Sequence, residues 1–134
     1  MMVTRRDFII ATSVVAASTV VTAGWAFSPR GVGMYGLISK VHAVPGERDR
    51  LISILVGVAG MPGCLSYIVA KDPTDPDAIW ITEVWDSQAS HEASLSLPSV
   101  QEAIAQGRPL IVSFSDRIVT EPVGGHGLTP PTTG

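Results

Sequence analysis

The sequence predicts a small α+β domain with the element order β-α-β-β-α-β, in which a four-stranded antiparallel sheet carries helices on one face. Three observations support this fold class. The apolar residues switch between a period of two and a period of three to four along residues 34–121. Turn sequences rich in Pro, Gly and Asp separate the periodic segments. The chain of 134 residues has the length of one domain.

The first strand is predicted over residues 34–44, where apolar side chains alternate, and Pro45-Gly46 ends it. A helix is predicted over residues 47–58, because the apolar positions then change to the spacing i, i+3, i+4 and i+7. This stripe consists of Leu51, Ile54, Leu55 and Val58. The sequence Gly60-Met61-Pro62-Gly63 ends the helix.

The next two strands are predicted at Cys64–Lys71 and Ala78–Trp85. The six residues between them, DPTDPD, form turns readily, so the two strands are predicted to pair as a β-hairpin.

The second helical region is predicted to be broken in two. Asp86 or Ser87 can cap a helix that reaches Leu97, and residues 99–102 have the spacing of a capping box at the start of another helix. Residues 110–120 are predicted to form the last strand.

The first 26 residues indicate a twin-arginine signal peptide. Arg5-Arg6 precede an apolar run over residues 8–23, which is too short and too polar for a comfortable membrane span. We expect cleavage after Ala23 or Ala26, with an uncleaved anchor as the alternative. The partner would then be the twin-arginine (Tat) export machinery. The mature protein would be periplasmic or secreted, without stable membrane insertion.

Residues 27–33 are predicted to be a linker, residues 34–121 the domain, and residues 122–134 a flexible tail rich in Pro, Gly and Thr. The net charge of −3 gives no indication of a nucleic-acid partner. The single cysteine, Cys64, cannot form an internal disulfide, and its expected role is that of a small buried apolar residue.

Several predicted strands are apolar on both faces. Pairs of apolar residues on opposite faces of one strand are Leu37 and Ile38, Ile68 and Val69, Ile81 and Val84, and Ile118 and Val119. A sheet with one face in water alternates apolar and polar residues, so we expect the second face to meet another subunit. A homodimer is the simplest such assembly.

Four segments carry a family resemblance: Glu83–Ser87, Leu97–Val100, residues 45–47 and residues 62–64. In order and spacing they resemble the antibiotic biosynthesis monooxygenase domain over residues 34–120. The resemblance implies a ferredoxin-like dimer whose sheets pack together, with a pocket between helices and sheet. It also implies an activity found in some members, the oxidation of quinols or polycyclic phenols by molecular oxygen without metal or flavin, whereas others degrade haem and many have no known activity.

The sequence departs from the family pattern at two points. Many members have a histidine nine residues after the tryptophan that ends the strand, but this position is Ser94, and His91 lies one turn earlier. The family's histidine is therefore absent or relocated. Haem-degrading members use an Asn, Trp and His set, whereas this chain contains no asparagine, which disfavours haem breakdown by that set.

Cofactor-free oxygenation needs a base that ionises the substrate hydroxyl and an apolar pocket. His91 is the leading base, because an imidazole ordinarily titrates near neutrality; the alternative is a surface or capping histidine. Glu83 could assist the base or hold a protonated His91, or instead form an interface salt bridge to Arg117. Trp85 could stack on an aromatic substrate or anchor the core.

Tyr67 and Tyr35 could orient a phenol or carbonyl, although strand tyrosines usually serve packing. His42 and His126 would need help from the topology or a partner subunit to reach the same pocket. A zinc pair is not indicated, because His91-Glu92 has no second histidine one turn later. No metal and no other cofactor is expected.

The sequence thus leaves two hypotheses. The first is an exported, cofactor-independent monooxygenase acting on a small quinol or phenolic substrate with molecular oxygen. The second is a non-catalytic dimeric module of the same fold that binds a quinone or haem.

Overall fold

The computed structural model of the chain describes residues 33–129. The four strands are β1 (Tyr35–Ala43), β2 (Cys64–Lys71), β3 (Ala78–Trp85) and β4 (Ile111–Thr120). The helices are α1 (Arg48–Val56), α2 (Gln88–Ser94) and α3 (Pro98–Gly107), and a 3₁₀ turn covers Arg108–Leu110. The predicted order of elements is confirmed, including the break in the second helical region.

All strand pairs are antiparallel, in the order β2-β3-β1-β4, which is the ferredoxin-like arrangement. The register defines two faces. On the face that the helices cover, Tyr67 of β2 lies opposite Glu83 of β3, which lies opposite Leu37 of β1. One residue along, a row on the other face crosses all four strands; it consists of Ile68, Thr82, Ile38 and Ile118. We call this second side the open face.

The core divides into two clusters along the helix-covered face. The larger cluster, here called the packed end, contains Val41, Leu51 and Ile79, each at most 1% exposed, together with Ala43, Ile81 and Leu110. The smaller cluster contains Tyr35, Leu37 and Trp85 at the opposite end of the strands. We call it the site end, because the candidate residues Glu83 and His91 adjoin it.

The hairpin loop over residues 72–77 is held by polar contacts. Arg48 of α1 donates to the carbonyl oxygens of Asp72, Asp75 and Ala78 at 2.8–3.3 Å. The Asp72 carboxylate accepts from the backbone and hydroxyl of Thr74 and from Trp80 Nε1. Those hydrogen bonds hold the pKa of Asp72 well below its usual range. The predicted turn is therefore a fixed loop that anchors the start of α1.

Helix boundaries differ from the sequence prediction around Pro98. Helix α2 ends at Ser94, and the next three amides bond three residues back, as in a 3₁₀ turn. Leu97 is extended, because the residue before a proline is disfavoured in the helical region. Pro98 is the first residue of α3, so the predicted capping box at Ser99 is wrong; Leu97 occupies the N-cap position without a side-chain hydrogen bond.

The predicted signal peptide and nearly all of the predicted linker lie outside the described residues. Residues 122–129 of the tail form no helix or strand, and the Thr129 amide donates to Leu65 O at 3.0 Å. Within residues 33–129, no helix is long and apolar enough to cross a membrane.

Candidate active site

A cavity of about 450 Å³ lies between the helices and the covered face of the sheet. Its floor includes Tyr67 from β2 and Ile81, Glu83 and Trp85 from β3. Its walls come from all three helices and from the start of β4; they include Leu55, His91, Ala103, Ile104 and Phe114. The lining is mostly apolar, so the few polar groups in it stand out as candidates for chemistry or orientation.

Glu83, Trp85 and His91 meet at the site end of this cavity. Trp85 Nε1 donates to Glu83 Oε1 at 2.9 Å, and His91 Nε2 lies 3.9 Å from the same oxygen. The indole and imidazole rings pack edge to face with centroids 5.4 Å apart. The tryptophan therefore fixes the position of the carboxylate, and the carboxylate can stabilise a proton taken up by the imidazole.

Helix α2 carries His91 into the cavity from the loop that follows β3. Ser87 is its N-cap and accepts from the Ser90 amide at 3.1 Å. Gly63, the residue before β2, lies against Ser90 of this helix. It has φ +84°, and a Cβ added to it would lie 2.6 Å from the Ser90 side chain. Only glycine allows this close approach, so the Pro62-Gly63 turn helps determine how far His91 reaches into the cavity.

Tyr35 does not line the cavity. It is buried on β1, and its ring lies against the imidazole of His91 with centroids 5.3 Å apart. The structure thus places Tyr35 where it supports His91 rather than where it would touch a ligand in the cavity.

Tyr67 does line the cavity, directly across the strand pair from Glu83. Burial raises the pKa of Tyr67 to about 12, with further contributions from the negative charge of Glu83 and from Cys64. Its hydroxyl is therefore protonated at neutral pH and is able to donate a hydrogen bond to a ligand.

Ser94 occupies the position at which the sequence resemblance leads one to expect a histidine. Ser94 and His91 are three residues apart on α2, and both line the cavity. Ser94 Oγ donates to His91 O at 2.6 Å, so this hydroxyl is engaged within the helix. A histidine one turn earlier thus reaches the same cavity.

The other two histidines lie elsewhere in the described part of the chain. His42 is on the open face, where its Nε2 lies 2.9 Å from Ser115 Oγ and its Nδ1 3.7 Å from Asp75. His126 lies in a turn of the tail and does not line the cavity. Among residues 33–129, no group of three His, Cys, Asp or Glu side chains is arranged to hold a metal ion.

Sequence reasoning missed several lining residues, among them Met61, Arg108 and Phe114. Arg108 and Phe114 come from the connection between α3 and β4 and from β4 itself. The pattern of residues 110–120 predicts a strand, but it does not indicate which part of that strand the helices leave uncovered. The one available signal was a cation directly after an amphipathic helix.

A model of the antibiotic biosynthesis monooxygenase family matches residues 34–106. A crystal structure from Chloroflexus aurantiacus, provisionally assigned as an antibiotic biosynthesis monooxygenase, is 70% identical over 71% of this chain and 98% of that chain, with a TM-score of 0.69. A Deinococcus radiodurans structure with the same provisional assignment is 27% identical and covers 75% and 99% of the two chains, with a TM-score of 0.54. No curated protein shows significant similarity to the chain.

Proposed function

The chain belongs to the antibiotic biosynthesis monooxygenase family, and from this premise we propose that it oxidises a small quinol or phenolic molecule with molecular oxygen. The family and its solved relatives support a monooxygenase-like activity in general. The observation that carries the finer proposal is the cluster of Glu83, Trp85 and His91 at the end of an apolar cavity.

His91 acts as the base in the proposed mechanism. Its imidazole accepts the proton of a substrate hydroxyl, and the carboxylate of Glu83, 3.9 Å away, stabilises the resulting imidazolium. Trp85 and Tyr67 border the same space with aromatic surface, and the Tyr67 hydroxyl can donate to a substrate carbonyl or phenolate oxygen. A substrate that fills this mostly apolar cavity displaces water from it, which strengthens each of these electrostatic contacts.

The substrate itself supplies the electrons. The phenolate passes an electron to oxygen, and the two radicals combine to form a carbon–oxygen bond in a peroxide. Cleavage of its O–O bond leaves one oxygen atom on the ring and releases the other as water. A hydroquinone and one O₂ thus give a hydroxyquinone and one water, so no external reductant is needed.

Oxygen uptake with a panel of hydroquinones tests this proposal. We expect uptake by the native protein, and a fall of about 100-fold for His91→Ala, because a positioned base contributes on this order. His42→Ala is the matched control, since it removes a histidine from the open face. If the native protein binds these compounds without consuming oxygen, it is instead the non-catalytic binding module. If His91→Ala is as active as the native protein, His91 is not the base.

We further propose that the protein is a homodimer that packs through the open face. The support is the apolar row on that face, in which Ile68 is 56% and Ile118 48% exposed. Light scattering on the purified protein should give twice the chain mass, and Ile118→Asp should give monomers. A native protein that stays monomeric at micromolar concentration would rule out this assembly.

Export by the twin-arginine route is also a proposal, supported by Arg5-Arg6 and the apolar run after them. Mass spectrometry of protein recovered outside the cytoplasm should find an N-terminus after Ala23 or Ala26. Replacement of Arg5 and Arg6 by lysine should leave the protein in the cytoplasm. Recovery with Met1 or Met2 at the N-terminus would contradict cleavage.

A further inference from the structure

The cavity has chemically different ends. Glu83 and His91 lie at the site end, whereas Arg108 follows α3 and lines the cavity, as do Ile111 and Phe114 of β4. The register places Phe114 level with Val41 of β1, which pairs with Ile79 of β3. Ile79 and Glu83 are four residues apart on β3, and each residue of a strand advances about 3.3 Å. The levels of Phe114 and Glu83 are therefore about 13 Å apart along the strand.

At the Arg108 end, on the side of β4, the cavity is open to solvent. Phe114 is 58% exposed and Arg108 is also exposed, whereas Trp85 at the other end is 1% exposed. A ligand that reaches His91 with one end would therefore leave its other end near the guanidinium of Arg108.

The guanidinium of Arg108 has no acidic partner within the described residues. No carboxylate of residues 33–129 lies within 4 Å of it, whereas Arg50 pairs with Glu47 at 3.8 Å and Arg48 is bound to three carbonyl oxygens. A planar guanidinium at the mouth of an apolar cavity suits a carboxylate, which it can bind through two parallel hydrogen bonds.

We infer that the cavity takes an elongated aromatic molecule with a hydroxyl at its inner end and a carboxylate at its outer end, and that Arg108 binds the carboxylate. This inference deepens the proposed function and rests on the same cavity. The spacing of about 13 Å between the levels of Glu83 and Phe114 suits a body of two or three fused rings. Arg108 thus selects and orients the ligand, while the chemistry takes place at the other end.

Calorimetric titration with two matched probes tests the inference without requiring turnover. The probes are 6-hydroxy-2-naphthoate and the neutral 6-hydroxy-2-naphthamide, which carry the hydroxyl and the second group at opposite ends. We expect the native protein to bind the carboxylate about tenfold more tightly than the amide, as for a partly solvated bidentate pair. Arg108→Gln should weaken binding of the carboxylate alone and abolish this preference.

Arg50→Gln is the control, since it removes the same charge from an exposed site outside the cavity. It should retain the preference, and Arg108→Lys should retain only part of it. Equal affinity of the native protein for both probes, or a preference that survives in Arg108→Gln, would overturn the inference. If the preference is present but no hydroquinone consumes oxygen, the inference stands and the proposed oxygenation fails.

Discussion

The two ends of the helix-covered sheet face use the same scaffold differently. At the packed end, Val41, Leu51 and Ile79 fill the space between α1 and the sheet, and each is almost completely buried. At the site end, β3 places Glu83 at an inward position, and α2 brings His91 beside it. The packed end encloses hydrocarbon, whereas the site end keeps a carboxylate and an imidazole next to a cavity.

The difference shows that, in this small domain, the residues that stabilise the fold are largely separate from those that form the candidate site. Burying the apolar groups of the packed end supplies the driving force for folding. A charged group at an inward position disfavours folding unless it has partners, and here Glu83 has the Trp85 indole and the His91 ring. The site end is therefore maintained by specific polar contacts, so substitutions at the two ends should have separable effects.

The largest expected effect is at the packed end. Ile79→Ala should lower the free energy of unfolding by about 3 kcal/mol, because Ile79 is fully buried and its truncation leaves a cavity. The matched control is Ile104→Ala on α3, which lines the candidate site and is 38% exposed. It should cost less than about 1 kcal/mol. Urea denaturation of both variants measures the difference, and equal losses would contradict the division described here.

The sequence alone predicts the packed end well and the site end only in part. The spacing of Leu51 and its neighbours is that of an amphipathic helix, and strand alternation divides the residues of each strand between two faces. The strands Cys64–Lys71 and Ala78–Trp85 were predicted at their observed limits. These features depend on local periodicity, which a single sequence contains.

The site depends on contacts between elements distant in the chain. Alternation along a strand places Glu83 and Trp85 on one face, but it does not predict that the indole donates a hydrogen bond to the carboxylate. The sequence also grouped Tyr35 with Tyr67, although only Tyr67 lines the cavity. Arg108 could not be assigned, because its role follows from where α3 ends relative to β4. Such placements are set by packing in three dimensions, and no short motif encodes them.

An intermediate effect is expected at high pH from Tyr67. An unfolded tyrosine loses its proton near pH 10, whereas folded Tyr67, whose pKa is about 12, keeps it longer. Between these values the folded state binds more protons, so the free energy of unfolding falls as pH rises, by about 2–3 kcal/mol in total. Tyr67→Phe should remove this part of the decline, and denaturation at pH 9 and pH 11.5 measures it. Parallel declines for the native protein and the variant would show that Tyr67 does not titrate this way.

The smallest expected effect concerns Ser87, the N-cap of helix α2, which carries His91. Ser87→Ala removes the acceptor for the Ser90 amide and should cost about 1 kcal/mol, whereas Ser87→Thr keeps the hydroxyl. Because α2 has seven residues, the loss should appear as local opening of that helix rather than of the whole domain. Hydrogen exchange of residues 88–94 should become about fivefold faster in Ser87→Ala while the amides of the packed end keep their rates. Uniform acceleration across the domain would instead mean that both ends unfold as one unit, and that the site end has no separate stability.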